Sequence, residues 1–362
     1  MGLYVVLFLA MLPFVCLELG SVNPKHQRLF HVFIIVFLFL SFLRWETGTD
    51  WDSYLRIFNN ISEPFDTLEE PEANTEKGYM FLNNLAKFLS SSYTMMLFLE
   101  GLIIYIYLYK GIRWLSPYPL FSLFIFFCMN LGGIFFVRQT IAVVITLFSI
   151  KYIIQRRLWM FLLMIILAST FHRTAVIFVF TYFVFYRRYS FLTSFLLLLG
   201  SAILGYIIGS ALMDYLSSAG LSGISERIAM YSGADYNDAL GMSSTAFMIR
   251  GLINRFFIFT LVFLFMRAFR NEDDVFNGIF NLYLFGACLF VFVTPISREF
   301  ARLTGYYDIV QILIYPYLLF ILHGSRKRIL FLLLIFFFVF RLYSAVNQWY
   351  DAYVPYKTVL DI

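Results

Sequence analysis

The chain has 362 residues and a formal net charge of +5; 61% of its residues are hydrophobic and only 14% are charged. A soluble domain is roughly 25% charged and about 45–50% apolar, so this composition excludes a soluble globular enzyme, a disordered chain and a collagen-like one. Many apolar runs approach the roughly 20 residues that span a bilayer core. They are apolar all round, without the period-two alternation of a transmembrane β-barrel. The fold class is therefore an all-α polytopic membrane protein.

In chain order, the apolar segments fall at 3–19, 29–43, 93–110, 117–131, 138–154, 158–170, 174–186, 191–212, 246–266, 277–294, 304–322 and 329–346. They predict twelve transmembrane helices in a single domain, 1–362. The N-terminal stretch has no basic leader and no small-residue cleavage site, so it reads as a retained helix and not a signal peptide. Cys16, Cys128 and Cys288 lie inside apolar runs and suggest neither a disulfide framework nor a metal knot. The segments 158–170 and 174–186 are short, and only Phe171, His172 and Arg173 separate them. They fit either two full spans with a buried turn or a broken re-entrant unit, whose irregular backbone would line a cavity or be buried in protein.

The alternate loops sort by charge. One set carries Lys25, Arg28, Lys110, Arg113, Lys151, Arg156, Arg157, Arg187, Arg188, Arg267, Arg270, Arg326, Lys327 and Arg328, against Glu272, Asp273, Asp274 and the boundary residue Glu18. Basic loops stay in the cytoplasm. Both termini and the segments 44–92, 213–245 and 295–303 then face outward. Residues 74–85 have helical apolar spacing and predict a short amphipathic helix on the outer surface. The Ser-, Gly- and Asp-rich stretch 213–245 predicts a mobile outer loop.

The outer side, which should be poor in cations, nonetheless carries Arg138, Arg173, Arg250, Arg255, Arg298, Arg302 and Arg341 at or within span ends. Each would cost about 2.5–3.5 kcal/mol to insert. For a single arginine, snorkelling or pairing with Glu100, Glu299 or Asp308 would suffice. The set as a whole points to an anionic ligand, because the guanidinium fork suits phosphate. Val137-Arg138-Gln139-Thr140 opens a span, where a helix N-terminus already favours an anion. Phe171-His172-Arg173-Thr174 holds the one histidine placed on the outer face. A lone histidine is more often structural, but neighbouring cations would hold His172 neutral and able to take a proton from a sugar hydroxyl. Asp50-Trp51-Asp52 could hold a divalent cation or supply a base, or simply cap a helix in a solvated loop. Tyr54 and its aromatic neighbours could stack on sugars or belong to an interfacial belt.

Several elements occur in a familiar order: Gly48-Thr49-Asp50-Trp51-Asp52-Ser53-Tyr54, Glu76-Lys77-Gly78-Tyr79, Val137-Arg138-Gln139-Thr140-Ile141-Ala142 and Phe171-His172-Arg173-Thr174-Ala175. Arg298-Glu299, Arg302, Tyr306 and Val354-Pro355-Tyr356-Lys357 follow. Over nearly its whole length the chain resembles the EpsG family of bacterial polysaccharide polymerases, the Wzy-type O-antigen and exopolysaccharide polymerases. One departure is Arg173, where the family usually has a small residue.

The resemblance implies transfer of a growing glycan from undecaprenyl diphosphate to the non-reducing sugar of a lipid-linked repeat unit. The reaction would take place on the outer face of the bacterial inner membrane. It also implies kinship with lipid-A O-antigen ligases, a metal-independent variant of the membrane glycosyltransferase C fold, and a possible chain-length-regulating co-polymerase partner. In that frame Arg138, Arg250, Arg255, Arg298 and Arg302 are candidates for a diphosphate clamp, His172 for the base, and Arg173 and Gln139 for orienting substrate. Tyr306, Asp50, Asp52 and Tyr54 are further substrate candidates. No cofactor and no nucleic-acid partner is expected. Two rival readings are a flippase or transporter of lipid-linked glycan, which should show internal repeats, and a metal-dependent glycosyltransferase built on Asp50 and Asp52. A membrane acyltransferase is a third, and it leaves the outer arginines unexplained.

Overall fold

The computed structural model describes residues 1–20, 24–65, 75–135, 138–218, 244–269 and 274–361. Most of the expected mobile loop at 213–245, namely 219–243, lies outside the described residues. The chain forms two compact units, Met1–Val176 with Tyr315–Ile362, and Ile177–Ile314. Among the described residues, six helices are long and apolar enough to cross a membrane. The expected segments 29–43, 117–131, 158–170 and 174–186 fall on shorter apolar helices of 10–17 residues. This is the make-up of an all-α membrane protein, and the only sheet among the described residues is a two-stranded pair.

The first unit begins with α1 (Gly2–Gly20), α2 (Pro24–Phe42), the two-residue strand β1 (Arg44–Trp45) and α3 (Trp51–Asn59). It continues with α4 (Lys77–Leu89), α5 (Tyr93–Leu115), α6 (Pro119–Met129), α7 (Leu131–Phe135), α8 (Arg138–Ile154) and α9 (Leu158–Phe171). Helix α5 packs along α2 and α8, and α8 packs along α9. In α6 every residue from Leu120 to Cys128 is buried, which follows from a helix apolar on all sides. It lies against α1, α2 and the Gly324–Gln348 helix.

The start of α6 is capped from outside. Pro119 at its first position has no N–H to offer. The next two N–H groups, of Leu120 and Phe121, both donate to the Glu18 carboxylate at the end of α1, each at 2.9 Å. A buried acid thus meets the positive end of a helix. Nearby, Lys327 donates to the Leu19 carbonyl at 2.8 Å and to the Tyr118 hydroxyl at 2.9 Å.

At the other end of this unit the C-terminal tail closes back on the first loop. Strand β2 (Lys357–Thr358) pairs antiparallel with β1, Arg44 opposite Thr358 and Trp45 opposite Lys357. Tyr356 donates its hydroxyl to the Leu40 carbonyl at 2.7 Å, and Lys357 pairs with Glu46 at 2.7 Å. Arg44 is buried and donates to the carbonyls of Thr47 and Phe135 at 2.9 and 2.7 Å. Gly48 has φ +118°, and a Cβ there would stand 2.9 Å from the Arg44 guanidinium, so only glycine fits.

The expected span 174–186 is not a continuous α-helix. Residues Arg173–Phe180 wind as a 3₁₀-helix, followed by one α-helical turn, α10 (Thr181–Val184). A 3₁₀-helix rises about 2.0 Å per residue against 1.5 Å in an α-helix. The tighter winding therefore lengthens a segment of few residues. Because such winding is uncommon beyond one turn, neighbours must hold it. In the second unit Tyr307 donates to the Ile177 carbonyl at 2.7 Å. Asn281 donates to the carbonyls of Val184 and Phe185, both at 3.1 Å, where α10 ends. Asn281 belongs to the Asp274–Val293 helix, which also packs along α11 (Phe191–Ser218).

Glu18→Ala leaves two buried N–H groups at the start of α6 without an acceptor. It is expected to lower stability by about 1–2 kcal/mol. A fall in the melting temperature of the detergent-solubilised protein checks this, and an unchanged melting temperature refutes the cap.

Candidate functional site

Three sequence elements meet at one carboxylate. Glu76 is the residue before α4; its backbone is extended and its side chain does not cap its own helix. Instead Oε2 accepts from Arg138 Nη1 at 3.0 Å, and Oε1 accepts from the Arg173 peptide N–H at 3.3 Å. Arg138 is the first residue of α8, and Arg173 the first residue of the 3₁₀ segment. A single acid thus joins α4, α8 and the turn after α9.

The approach of α4 to α9 is set by Gly78. A Cβ there would stand 2.5 Å from the Thr170 hydroxyl and 2.7 Å from the Thr170 carbonyl oxygen. Any larger residue would lift Glu76 off its partners.

The Arg138 guanidinium rests against two tyrosines, 5.4 Å from the Tyr54 ring and 5.7 Å from the Tyr79 ring. The rings meet edge to face with centroids 5.7 Å apart. Such contacts add to the ion pair and fix the plane of the fork. Burial pushes the Tyr54 phenol above its usual range against the opposing pull of Arg138, and pushes Tyr79 well above it. Both remain neutral at physiological pH. Tyr79 lies beside Glu100, which is buried on α5 within the electrostatic reach of Arg44.

His172 ends α9, with Nδ1 2.6 Å from the Thr174 hydroxyl. It is half-buried, as is Gln139, while the Arg173 side chain is exposed. Asp50 is the N-cap position of α3 and Asp52 sits in its first turn; both are exposed. Asp50 acts electrostatically on Tyr54, so this loop borders the Arg138 site. Among the described residues, no group of three or more His, Cys, Asp or Glu side chains is arranged to hold a metal ion.

The other expected arginines lie in the second unit. Arg255, on the Ser244–Phe269 helix, pairs with Asp308 at 2.6 Å and donates to Thr304 Oγ1 at 3.2 Å. Thr304 donates to the same Asp308 oxygen at 2.7 Å or to the Ala301 carbonyl at 2.8 Å. The Arg255 guanidinium stands 3.8 Å from the Phe290 ring, and Arg298 stands 4.8 Å from Phe247. The two rings are 5.9 Å apart, so they connect the two arginines. Arg250 is half-buried, Arg302 exposed and Tyr306 fully buried. Exposure separates the two acid-held arginines: the Arg255 side chain is 9% exposed and the Arg138 side chain 26%. Arg138 is therefore the more accessible of the two, whereas Arg255 is enclosed with Asp308.

The sequence picks out Glu76-Lys77-Gly78-Tyr79 as a motif but gives Glu76 and Tyr79 no role, and it does not single out Arg44. The signal for Glu76 was its place before Lys77-Gly78-Tyr79 at a helix start, but its partners lie 62 and 97 residues away.

These features define a membrane protein with arginine groups suited to an anion. The profile of the EpsG family matches residues 27–358. The chain belongs to the EpsG family, a Wzy-like polymerase family. No curated protein and no solved structure matches it significantly.

Gly78→Ala is expected to cost about 1–3 kcal/mol by overpacking. Thr170→Ala should not rescue it, since the Thr170 carbonyl blocks the same space. Melting temperatures of the two single variants and the double variant check this. For the second unit, Asp308→Ala should cost about 3–5 kcal/mol by stranding Arg255. Arg255→Met with Asp308→Leu should be less damaging than Asp308→Ala alone, and the same thermal assay reads the difference.

Proposed function

We propose that this protein is a polysaccharide polymerase acting on lipid-linked glycans at the outer face of the bacterial inner membrane. Its donor is a glycan on undecaprenyl diphosphate and its acceptor is the non-reducing sugar of another lipid-linked repeat unit. The observation that carries the reading is the meeting of the Glu76, Arg138 and His172-Arg173 elements in a chain of the EpsG family. The proposed topology is twelve spans of glycosyltransferase C type with both termini outside. The charge sorting of the loops supports it.

In this reading the acceptor hydroxyl attacks the anomeric carbon of the donor sugar. The new glycosidic bond forms as the bond to the diphosphate breaks, and the electron pair leaves with the phosphate oxygen. Arg138 stabilises that growing charge, as a preorganised donor does best in a dry site. His172 takes the hydroxyl proton; the Thr174 hydroxyl at its Nδ1 fixes the ring. Gln139 and the exposed Arg173 side chain orient the glycan. Asp50 and Asp52 begin α3 and border the site through Tyr54.

The reaction uses two lipid diphosphates, and each unit of the chain has its own arginine group. Arg250, Arg298 and Arg302 of the second unit are further candidates for holding a lipid diphosphate, with Arg255 and Tyr306 as candidate supports. A chain-length-regulating co-polymerase is the proposed protein partner.

Purified protein with synthetic undecaprenyl-diphosphate repeat units and EDTA should yield a product ladder on a gel. His172→Ala and Arg138→Ala should each lower the rate on the order of 10²–10³-fold. A ladder that needs added Mg²⁺ or Mn²⁺ would move the chemistry to Asp50 and Asp52. Transbilayer movement of the lipid without any ladder would make the protein a transporter.

A further inference from the structure

Glu76 has no part in the chemistry just described, yet it holds the central arginine. Its carboxylate is nearly buried, and the donors it uses are those an incoming phosphate would need: a guanidinium N–H of Arg138 at 3.0 Å and the peptide N–H of Arg173 at 3.3 Å. The second bond is long for an N–H···O contact. The carboxylate is therefore held firmly at one oxygen and loosely at the other. Arg138 does not depend on Glu76 alone for its position, because the Tyr54 and Tyr79 rings hold its guanidinium at 5.4 and 5.7 Å. If Glu76 moved away, the arginine would keep its place.

We propose that Glu76 is an internal stand-in for the substrate anion. It occupies the Arg138 donor and the Arg173 N–H in the unliganded protein, and the lipid-linked diphosphate displaces it. This rests on the assignment of Arg138 to the diphosphate. The exchange has a physical motive. An unpaired guanidinium in a half-buried site is costly, and a carboxylate neutralises it until a ligand arrives. A diphosphate carries more charge and more acceptor oxygens than a carboxylate, so it competes for the same donors. The displaced carboxylate also releases the turn that carries His172. Substrate entry and the position of the base are then linked.

A residue that merely positioned Arg138 would weaken ligand binding when altered. A competing anion predicts the reverse. The test measures binding of undecaprenyl diphosphate to the detergent-solubilised full chain by calorimetry, for wild type, Glu76→Gln, Glu76→Asp and Arg138→Ala. Glu76→Gln removes the charge but keeps the shape. Glu76→Asp keeps the charge but withdraws it by one methylene, and it serves if the glutamine variant fails to fold.

The expected result is binding on the order of tenfold tighter in Glu76→Gln, a smaller gain in Glu76→Asp, and loss in Arg138→Ala. Binding that is equal or weaker in both Glu76 variants, with loss in Arg138→Ala, would overturn the stand-in and leave Arg138 as the diphosphate donor. Binding that Arg138→Ala leaves intact would overturn the assignment of Arg138, and the stand-in with it.

Discussion

The ion pair between Glu76 and Arg138 is the contact at which the elements of one end of the first unit are joined. A chain with this much apolar surface offers few polar partners, so each buried charge must find its complement or stay out of the interior. Glu76 meets that demand for Arg138 and at the same time ties down the peptide N–H that begins the 3₁₀ segment. These two bonds bring α4, α8 and the end of α9 to one point. Gly78 then permits the close approach that the ion pair requires.

The same device recurs in the second unit, with a different outcome. Asp308 holds Arg255 as Glu76 holds Arg138, and an aromatic ring covers each guanidinium. The Arg255 pair is closed further by Thr304, and little of the arginine is left exposed. A pair so enclosed organises the fold. The more open Arg138 pair keeps a face available to solvent or ligand. Arg44 represents a third solution: it is fully enclosed and pairs mainly with backbone carbonyls, which fixes the first loop against α7 and the C-terminal tail.

Much of this architecture was legible from hydrophobicity and charge. Each expected apolar segment lies largely on helix, because twenty apolar residues without a period-two pattern have no other way to satisfy their backbone. The amphipathic stretch near residue 77 was legible for the same reason, although its buried face includes Asn83 and Asn84, which turn their amides onto the Tyr79 and Met80 carbonyls. The 3₁₀ winding after His172 was not legible. It depends on an acceptor supplied by Glu76 and a donor supplied by Tyr307, both far away in the chain. The partners of the site arginines were hidden in the same way. Sequence spacing shows that Arg138 and Arg255 sit near helix ends, but only the folded chain pairs one with Glu76 and the other with Asp308.

Arg173 shows how a backbone position can be fixed while its side chain is left unconstrained. The fold uses the peptide N–H of this residue, and every amino acid except proline has one. The side chain itself is exposed. The backbone bond to Glu76 therefore ties down the turn without calling on the side chain.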